Sequence, residues 1–230
     1  MRRNYVFISL LFVLAFAPMG LLAQADDTQA RGSGSSELSP EAREALSKGQ
    51  ELLYSKDIQG GIASFKKAVE LAPAYARGYL LLGNAYMQAQ QWKNAQAAFE
   101  TAARLEPDNA TALLGVGAAL NQQQDWSGAL KLLQQSLKIK ADSAEAQYEL
   151  ARSLAALNRL QEAELHVRMS ISLNGKYAVP HILMGDIYVY LYENAEAALA
   201  EYETYLRLDP DGPSAAPVKE MIARLHKLAQ

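Results

Sequence analysis

The side chains best suited to acid–base or metal chemistry are the three histidines, His166, His181 and His226. A metal site or a general base needs a second histidine or a carboxylate within reach, which on one helix means three or four residues away. Glu162, four residues before His166, is the sole residue with that spacing, and such a pair is typical of a helix surface. We therefore expect no catalytic residue and no metal site, with His181 packed between helices.

Other motifs that carry chemistry are absent from the sequence. It has no Gly-rich phosphate loop, no GxSxG and no HExxH. Residues 115–117 (Gly-Val-Gly) lie within a helical pattern and indicate close helix packing. Trp92 and Trp126 could stack on a sugar ring, but they share one register with Ile58 and Leu160, so we expect buried, structural positions. The sequence predicts a protein that is not an enzyme and needs no cofactor.

The composition excludes several classes of function. The chain has 230 residues, half of them hydrophobic, which is enough for a sizeable core. The formal net charge of -3 gives no basic surface for nucleic acid, so we expect no nucleic-acid partner. The absence of cysteine excludes disulfides and thiolate zinc sites.

The N-terminus has the pattern of a secretory signal. Arg2 and Arg3 precede the apolar run 5–17, and Ala23 and Ala25 occupy the two small-residue cleavage positions. We expect a signal peptide over residues 1–25, cleaved after Ala25, a periplasmic or secreted protein, and no membrane span after cleavage. An uncleaved anchor is the alternative, although the run is shorter than the ~20 residues that span a bilayer. Twin-arginine export fits less well, because the rest of that motif is poor.

Residues 26–40 are rich in Gly and Ser and predict a disordered linker. Beyond them, residue types recur at a fixed step of 34. Small residues occupy one series, and four further series keep the same register. The small series is Gly49, Gly83, Gly117, Ala151 and Gly185, and the others begin at Ile58, Gly61, Phe65 and Ala68. Five series in one register identify an internal repeat of 34 residues.

Each repeat has the pattern of two antiparallel helices. In the second repeat, apolar and small residues at i, i+3, i+4 and i+7 define one face of a first helix, and the same spacing defines a second. These residues are Tyr79, Leu82, Gly83 and Tyr86, then Ala95, Ala98, Phe99 and Ala102. The polar pair Gln90–Gln91 is too short for any connection but an antiparallel return, and Pro107 ends the second helix.

This pattern resembles the tetratricopeptide repeat (TPR) family over about residues 41–212, most closely in the second unit. The resemblance implies an all-α, right-handed α-solenoid of about five helical hairpins with a C-terminal capping helix. The fifth unit fits only after a one-residue insertion, and residues 213–230 suit the cap. The units are 42–75, 76–109, 110–143, 144–177 and 178–212.

In this family the first helix of each unit lines a concave groove that binds a partner protein. Carried over by position, the candidate groove residues are Arg77, Leu81, Asn84, Met87, Gln88, Thr111, Ala118, Asn121, Gln122, Tyr148 and Arg152. For each, the alternative is that it faces the next repeat. The Lys, Arg and Asn set that grips a C-terminal carboxylate is absent, because those positions hold Leu46, Leu80 and Leu114 among others. We therefore expect a partner that is bound through an apolar or extended segment.

These observations favour a non-catalytic scaffold or adaptor outside the cytoplasm, with envelope or secretion-machinery assembly as a setting. A self-assembling structural repeat protein is the alternative, since exposed end repeats can stack. An enzyme or a cell-wall sugar binder would need convergent acids in the groove, where Glu149 and Asp186 are the candidates.

Overall fold

A computed structural model describes residues 38–229, and over this range the chain forms eleven α-helices and no strand. The predicted signal peptide and most of the predicted linker lie outside the described residues. The helices are α1 Pro40–Tyr54, α2 Ile58–Leu71, α3 Ala76–Gln88, α4 Trp92–Leu105, α5 Ala110–Gln122, α6 Trp126–Ile139, α7 Ala144–Ala156, α8 Leu160–Leu173, α9 Val179–Tyr192, α10 Ala195–Leu208 and α11 Ala215–Ala229.

Consecutive helices pair as five hairpins, α1 with α2 through α9 with α10, and each hairpin packs on the next. The predicted all-α solenoid of helical hairpins is confirmed. The C-terminal helix α11 packs on α10 and buries Val218, Met221 and Leu225. This contact closes the last hairpin, as an end repeat requires.

The turn inside every hairpin uses one residue with a left-handed backbone. These residues are Lys56, Gln90, Gln124, Asn158 and Glu193, with φ between 50° and 65°. The first four follow one another at the repeat step of 34, whereas Glu193 comes one residue late. Helix α9 has 14 residues where α7 has 13, so the extra residue of the fifth unit lies in its first helix.

The first helix begins earlier than the predicted linker boundary allows. The linker was expected to reach residue 40, but α1 starts at Pro40. The Ser39 side chain accepts a hydrogen bond from the Ala42 backbone N–H at 3.1 Å. A serine cap satisfies a free N–H of the first turn, and proline at the first helical position has no N–H to lose.

Successive repeats pack through a large buried side chain that contacts small residues on two first helices. The fully buried ring of Phe99 lies between α3 and α5, where a Cβ added to either Gly83 or Gly115 would stand 2.6 Å from a ring carbon. Gly117 has the same relation to Leu133 at 2.6 Å. Residues 115–117 therefore serve close packing, as their helical pattern predicted.

Gly115→Ala is expected to lower the free energy of unfolding by about 1–3 kcal/mol, because the added methyl overpacks the Phe99 ring. Alanine is otherwise the better helix former, so a destabilised variant isolates the steric effect. Gly175→Ala is the matched control, since its added Cβ would meet only a backbone oxygen at 3.9 Å. Urea unfolding of both variants tests this, and equal changes would contradict the packing account.

Candidate partner-binding groove

The first helices of successive units form the inner layer of the array. Helix α3 contacts α5, and α5 contacts α7, although a second helix, α4 or α6, lies between them in sequence. The eleven candidate groove residues lie on these three helices. Five of them are half-buried: Arg77, Leu81, Gln88, Thr111 and Gln122. The other six are buried: Asn84, Met87, Ala118, Asn121, Tyr148 and Arg152.

The half-buried residues belong to the second and third units. Leu81 offers an apolar side chain, and Gln88 and Gln122 offer amides that both donate and accept hydrogen bonds. The α3 and α5 part of the groove is therefore mostly uncharged, with Arg77 as the charged member of the half-buried set.

Asn121 has an internal role that differs from the predicted one. Its amide Nδ2 donates to the Glu149 backbone oxygen at 2.9 Å and to Glu149 Oε2 at 2.8 Å. Its Oδ1 accepts from the Ser153 hydroxyl at 2.7 Å. Because the residue is fully buried, these bonds fasten α5 to α7, which is the alternative in which the side chain faces the next repeat.

Glu149 and Arg152 form a nearly buried ion pair beside Asn121. Arg152 Nη1 donates to Glu149 Oε1 at 3.1 Å and to Oε2 at 2.9 Å. Burial lowers the pKa of Arg152, but the Glu149 carboxylate together with Tyr148 and Tyr177 raises this pKa by more, so the guanidinium stays charged. The guanidinium also lies 5.9 Å from the Tyr148 ring centroid.

Two other buried candidates for the groove, Tyr148 and Asn84, differ in their contacts. Tyr148 packs edge-on against Tyr177, with ring centroids 5.5 Å apart, and burial raises its pKa. Asn84, by contrast, has its Oδ1 buried without a hydrogen-bond partner in the described part of the chain. An unpaired buried carbonyl is unfavourable, so Asn84 Oδ1 is the polar atom of this set that the described residues leave without a partner.

The fifth unit carries a half-buried acid, Asp186, which accepts a hydrogen bond from the Tyr202 hydroxyl at 2.6 Å. Burial raises the pKa of Asp186 to about 7, and the Tyr202 bond only partly opposes this. Burial and the nearby Asp186 charge raise the pKa of Tyr190 to about 12. The Asp186 carboxyl therefore titrates near neutral pH, and its Oδ1 is engaged by the Tyr202 hydroxyl.

Stability is expected to fall as the pH rises toward about 7, because the folded chain holds the Asp186 proton more tightly than the unfolded chain. The stabilisation is complete below the ordinary pKa of 3.8 and is lost as the pH passes the raised value. Asp186→Asn removes the titrating group. The fall in melting temperature between pH 5 and pH 8 should then be smaller than in the wild type, and an equal fall would contradict the assignment.

The histidines pair with residues that the sequence reasoning missed. His181 is buried between α9 and α10, as expected, and its Nδ1 lies 2.6 Å from Glu201 Oε2. His166 Nδ1 lies 2.7 Å from Gln147 Oε1, while the predicted partner Glu162 instead accepts from Arg159 at 2.7 Å. Within residues 38–229 no group of three or more His, Cys, Asp or Glu could hold a metal ion.

The two tryptophans are less buried than their register suggested. Trp92 and Trp126 are the first residues of α4 and α6, and both are half-buried. Trp92, Ile58 and Leu160 pack against the edge of the core as partly buried side chains, so this series contributes to structure without being fully buried.

Comparisons with known proteins agree with the geometry. One profile described as tetratricopeptide repeat matches residues 46–93 and 80–144, and a second with the same description matches residues 120–169. Together they span more than half of the chain. A search of curated protein sequences finds no match.

Solved structures show the same fold. A thermophilic TPR protein of Thermus thermophilus has 15% identity and a TM-score of 0.66, covering 80% of this chain and 98% of that chain. MamA from Desulfovibrio magneticus RS-1 has 16% identity and a TM-score of 0.63, covering 77% and 99%. YrrB, described as a TPR protein with an unusual peptide-binding site, has 25% identity and a TM-score of 0.55, covering 78% and 92%.

The 34-residue step, the five packed hairpins and the two matching profiles lead to one assignment. This chain belongs to the tetratricopeptide repeat family.

Proposed function

We propose that this chain is a non-catalytic adaptor, exported from the cytoplasm, that binds an extended protein segment on the inner face of its second and third units. The observation that carries the proposal is the set of half-buried side chains on α3 and α5, among them Leu81, Gln88 and Gln122. Amides beside an apolar surface suit a peptide, whose backbone needs both donors and acceptors. The peptide-binding site named for YrrB supports the same use of this fold.

The fourth and fifth units contribute less to binding in this proposal, because their polar side chains are engaged internally. Glu149 is paired with Arg152, and Asp186 accepts from Tyr202. These were the groove acids that an enzyme or a sugar binder would need, and neither is a free carboxylate. Their engagement supports a binding protein over a catalyst.

The proposed location is the periplasm or the exterior, with envelope or secretion-machinery assembly as the setting. Its support is the sequence pattern of residues 1–25, with two arginines, an apolar run and small residues at the cleavage positions. Among residues 38–229, none of the helices combines the length and the apolar character that a membrane crossing needs.

Self-assembly, the alternative, would require apolar surfaces at the ends of the array. The first helix exposes Arg43, Glu44 and Lys48, and the last helix exposes Lys219 and Glu220. These charges oppose end-to-end stacking, whereas Tyr54, 93% exposed at the end of the first helix, is an apolar side chain at the same end of the array.

Leu81→Arg is expected to weaken partner binding at least about tenfold. A partner would cover Leu81, and a charged side chain in its place should reduce the binding free energy by more than ~1.4 kcal/mol. The wild-type chain first captures proteins from the native envelope, and the purified partner is then titrated against each variant. Ala97→Arg, on the exposed outer side of α4, is the matched control and should bind like the wild type. A partner that binds both variants equally would exclude this groove, and capture of the chain alone would favour self-assembly.

A further inference from the structure

Helix α8 exposes a row of large apolar side chains. Leu165, Met169 and Leu173 stand four residues apart, so they follow one face of the helix, and 63%, 47% and 44% of their surfaces are exposed. We name these three residues the α8 row. A contiguous apolar patch on a protein surface marks an interaction site, whereas single apolar side chains scattered over the surface do not.

Tyr192 extends the patch beside the first residue of the row. Its hydroxyl donates to Glu164 Oε2 at 2.5 Å, so the half-exposed ring lies next to the residue that precedes Leu165. Arg168 also stands on the exposed side of α8, but its guanidinium already meets Glu164 at 2.7 Å. The centre of the patch is therefore apolar, and the cation beside it is paired within the chain.

The α8 row distinguishes the fourth unit from the three units before it. The third position of the row is apolar in all four units, but the first two positions hold small or polar side chains in the earlier ones. Those residues are Ala63 and Lys67, Ala97 and Thr101, and Lys131 and Gln135. Because these three units form the same hairpin without large apolar side chains there, the repeat fold does not require Leu165 and Met169.

A second copy of α8 complements the row in both shape and charge. In an antiparallel pair with a two-fold axis at Met169, this residue meets its own copy. Leu165 and Leu173 lie four residues before and after Met169, so each faces the other on the second copy. Glu162 and Lys176 lie seven residues before and after it, a spacing that returns to the same face. Both are exposed, and the pairing brings their opposite charges together at each end of the contact.

These charges select the antiparallel direction. Glu162 lies in the first turn of α8, whereas Lys176 lies three residues beyond its last residue. A parallel pair would place each of them against the same residue of the second copy, and like charges in contact oppose association. The antiparallel pair makes two Glu–Lys contacts, and this self-complementarity is what a two-fold dimer requires.

We propose that the chain forms a weak two-fold dimer through antiparallel contact between the α8 rows of two copies. Helix α8 has 14 residues and is about 21 Å long. A contact of this length falls short of the ~800 Å² per partner that stable interfaces bury, so we expect a dissociation constant of about 10–100 μM. The inference goes beyond the proposed function and does not depend on it.

Such a dimer leaves the groove accessible on both copies. The α8 row lies on a second helix, whereas the candidate groove residues lie on the first helices α3, α5 and α7. A particle with two grooves would bind a partner that offers two segments more tightly than a single chain does, because the second contact becomes intramolecular.

Sedimentation equilibrium of the exported, purified chain tests the dimer. The average mass should rise from monomer toward dimer between about 1 and 500 μM, the range that brackets the expected dissociation constant. Leu165→Glu should weaken association at least about tenfold, or ~1.4 kcal/mol. Ala97→Glu places the same charge at the equivalent exposed position of α4 and should dimerise like the wild type. Leu81→Arg should also dimerise normally, which separates this result from the groove.

A charge exchange tests the antiparallel register. Glu162→Lys alone and Lys176→Glu alone each place like charges at both ends of the contact, and each should weaken the dimer about tenfold at low salt. An equimolar mixture of the two variants restores both opposite-charge contacts and should dimerise like the wild type. Far-UV circular dichroism of each variant should match the wild type, because both positions are exposed.

Three outcomes would overturn the inference. A chain that stays monomeric at 500 μM, well above the expected dissociation constant of about 10–100 μM, would assign the α8 row to another protein. A dimer that Leu165→Glu leaves intact would use a different surface. A mixture of the two charge variants that stays as weak as either one alone would exclude the antiparallel register.

Discussion

Phe99→Ala is expected to lower the free energy of unfolding by about 3–5 kcal/mol, the range measured for truncating fully buried aromatic side chains. The ring has no exposed surface and fills the space that Gly83 and Gly115 leave on two successive first helices. Both glycines belong to rigid helices, so the cavity cannot collapse fully. Urea unfolding monitored by far-UV circular dichroism measures the change.

Tyr54→Ala is the matched control for this loss. Tyr54 is an aromatic residue on a first helix, but 93% of its surface is exposed, so its truncation should change stability by no more than about 0.5 kcal/mol. A loss below about 1 kcal/mol for Phe99→Ala would contradict the packing account, because a fully buried aromatic ring then would contribute little to the array.

Glu149→Ala is expected to lower the free energy of unfolding by about 3–5 kcal/mol, since removing one partner leaves a buried charge uncompensated. Arg152 would lose its acceptor, and Asn121 would lose one of the bonds that join α5 to α7. Unfolding at two salt concentrations measures the loss, which should persist at high salt because a buried pair is poorly screened.

The exposed ion pair of the same geometry provides the control. Arg159 and Glu162 also stand three residues apart and meet at 2.7 Å, but about half of each side chain is exposed. Exposed pairs contribute little, so Glu162→Ala should leave stability nearly unchanged. Equal losses at Glu149 and Glu162 would mean that the connection between α5 and α7 does not depend on the buried pair.

The repeat could be predicted because each unit solves the same packing problem. Gly83 and Phe99 recur at a step of 34 since a small residue on one helix must face a large one on the next. The delayed fifth unit was also visible, and the late left-handed residue Glu193 places the extra residue in α9. A periodic core leaves a periodic sequence, which is why the fold follows from the spacing alone.

The polar contacts of Asn121 and His181 could not be predicted in the same way, because each lacks a counterpart in the other repeats and joins residues that are distant in sequence. Asn121 meets Glu149 across 28 residues, and His181 meets Glu201 across 20. Spacing rules for a single helix reach only the third or fourth neighbour. The direction of each side chain relative to the next hairpin decides whether a groove position binds a partner or fastens two repeats.

The structure gives the groove two unequal parts. Internal bonds engage Asn121 near the end of α5 and Glu149 and Asp186 in the fourth and fifth units. Leu81, Gln88 and Gln122 remain half-buried in the second and third units. The internally bonded fourth and fifth units would hold the second and third units in place. A bound segment would then meet a preorganised surface, and less entropy would be lost on binding.

Site-specific photocrosslinking in the native envelope tests the central claim most directly. A photoreactive amino acid is placed at position 81, 88 or 122 on the inner face, and at the outer positions 97 or 131 as controls. We expect one protein to crosslink from the inner positions and not from the outer ones. The same crosslinks from the outer positions, or crosslinks from the inner positions only to a second copy of this chain, would contradict an adaptor that binds its partner in the groove.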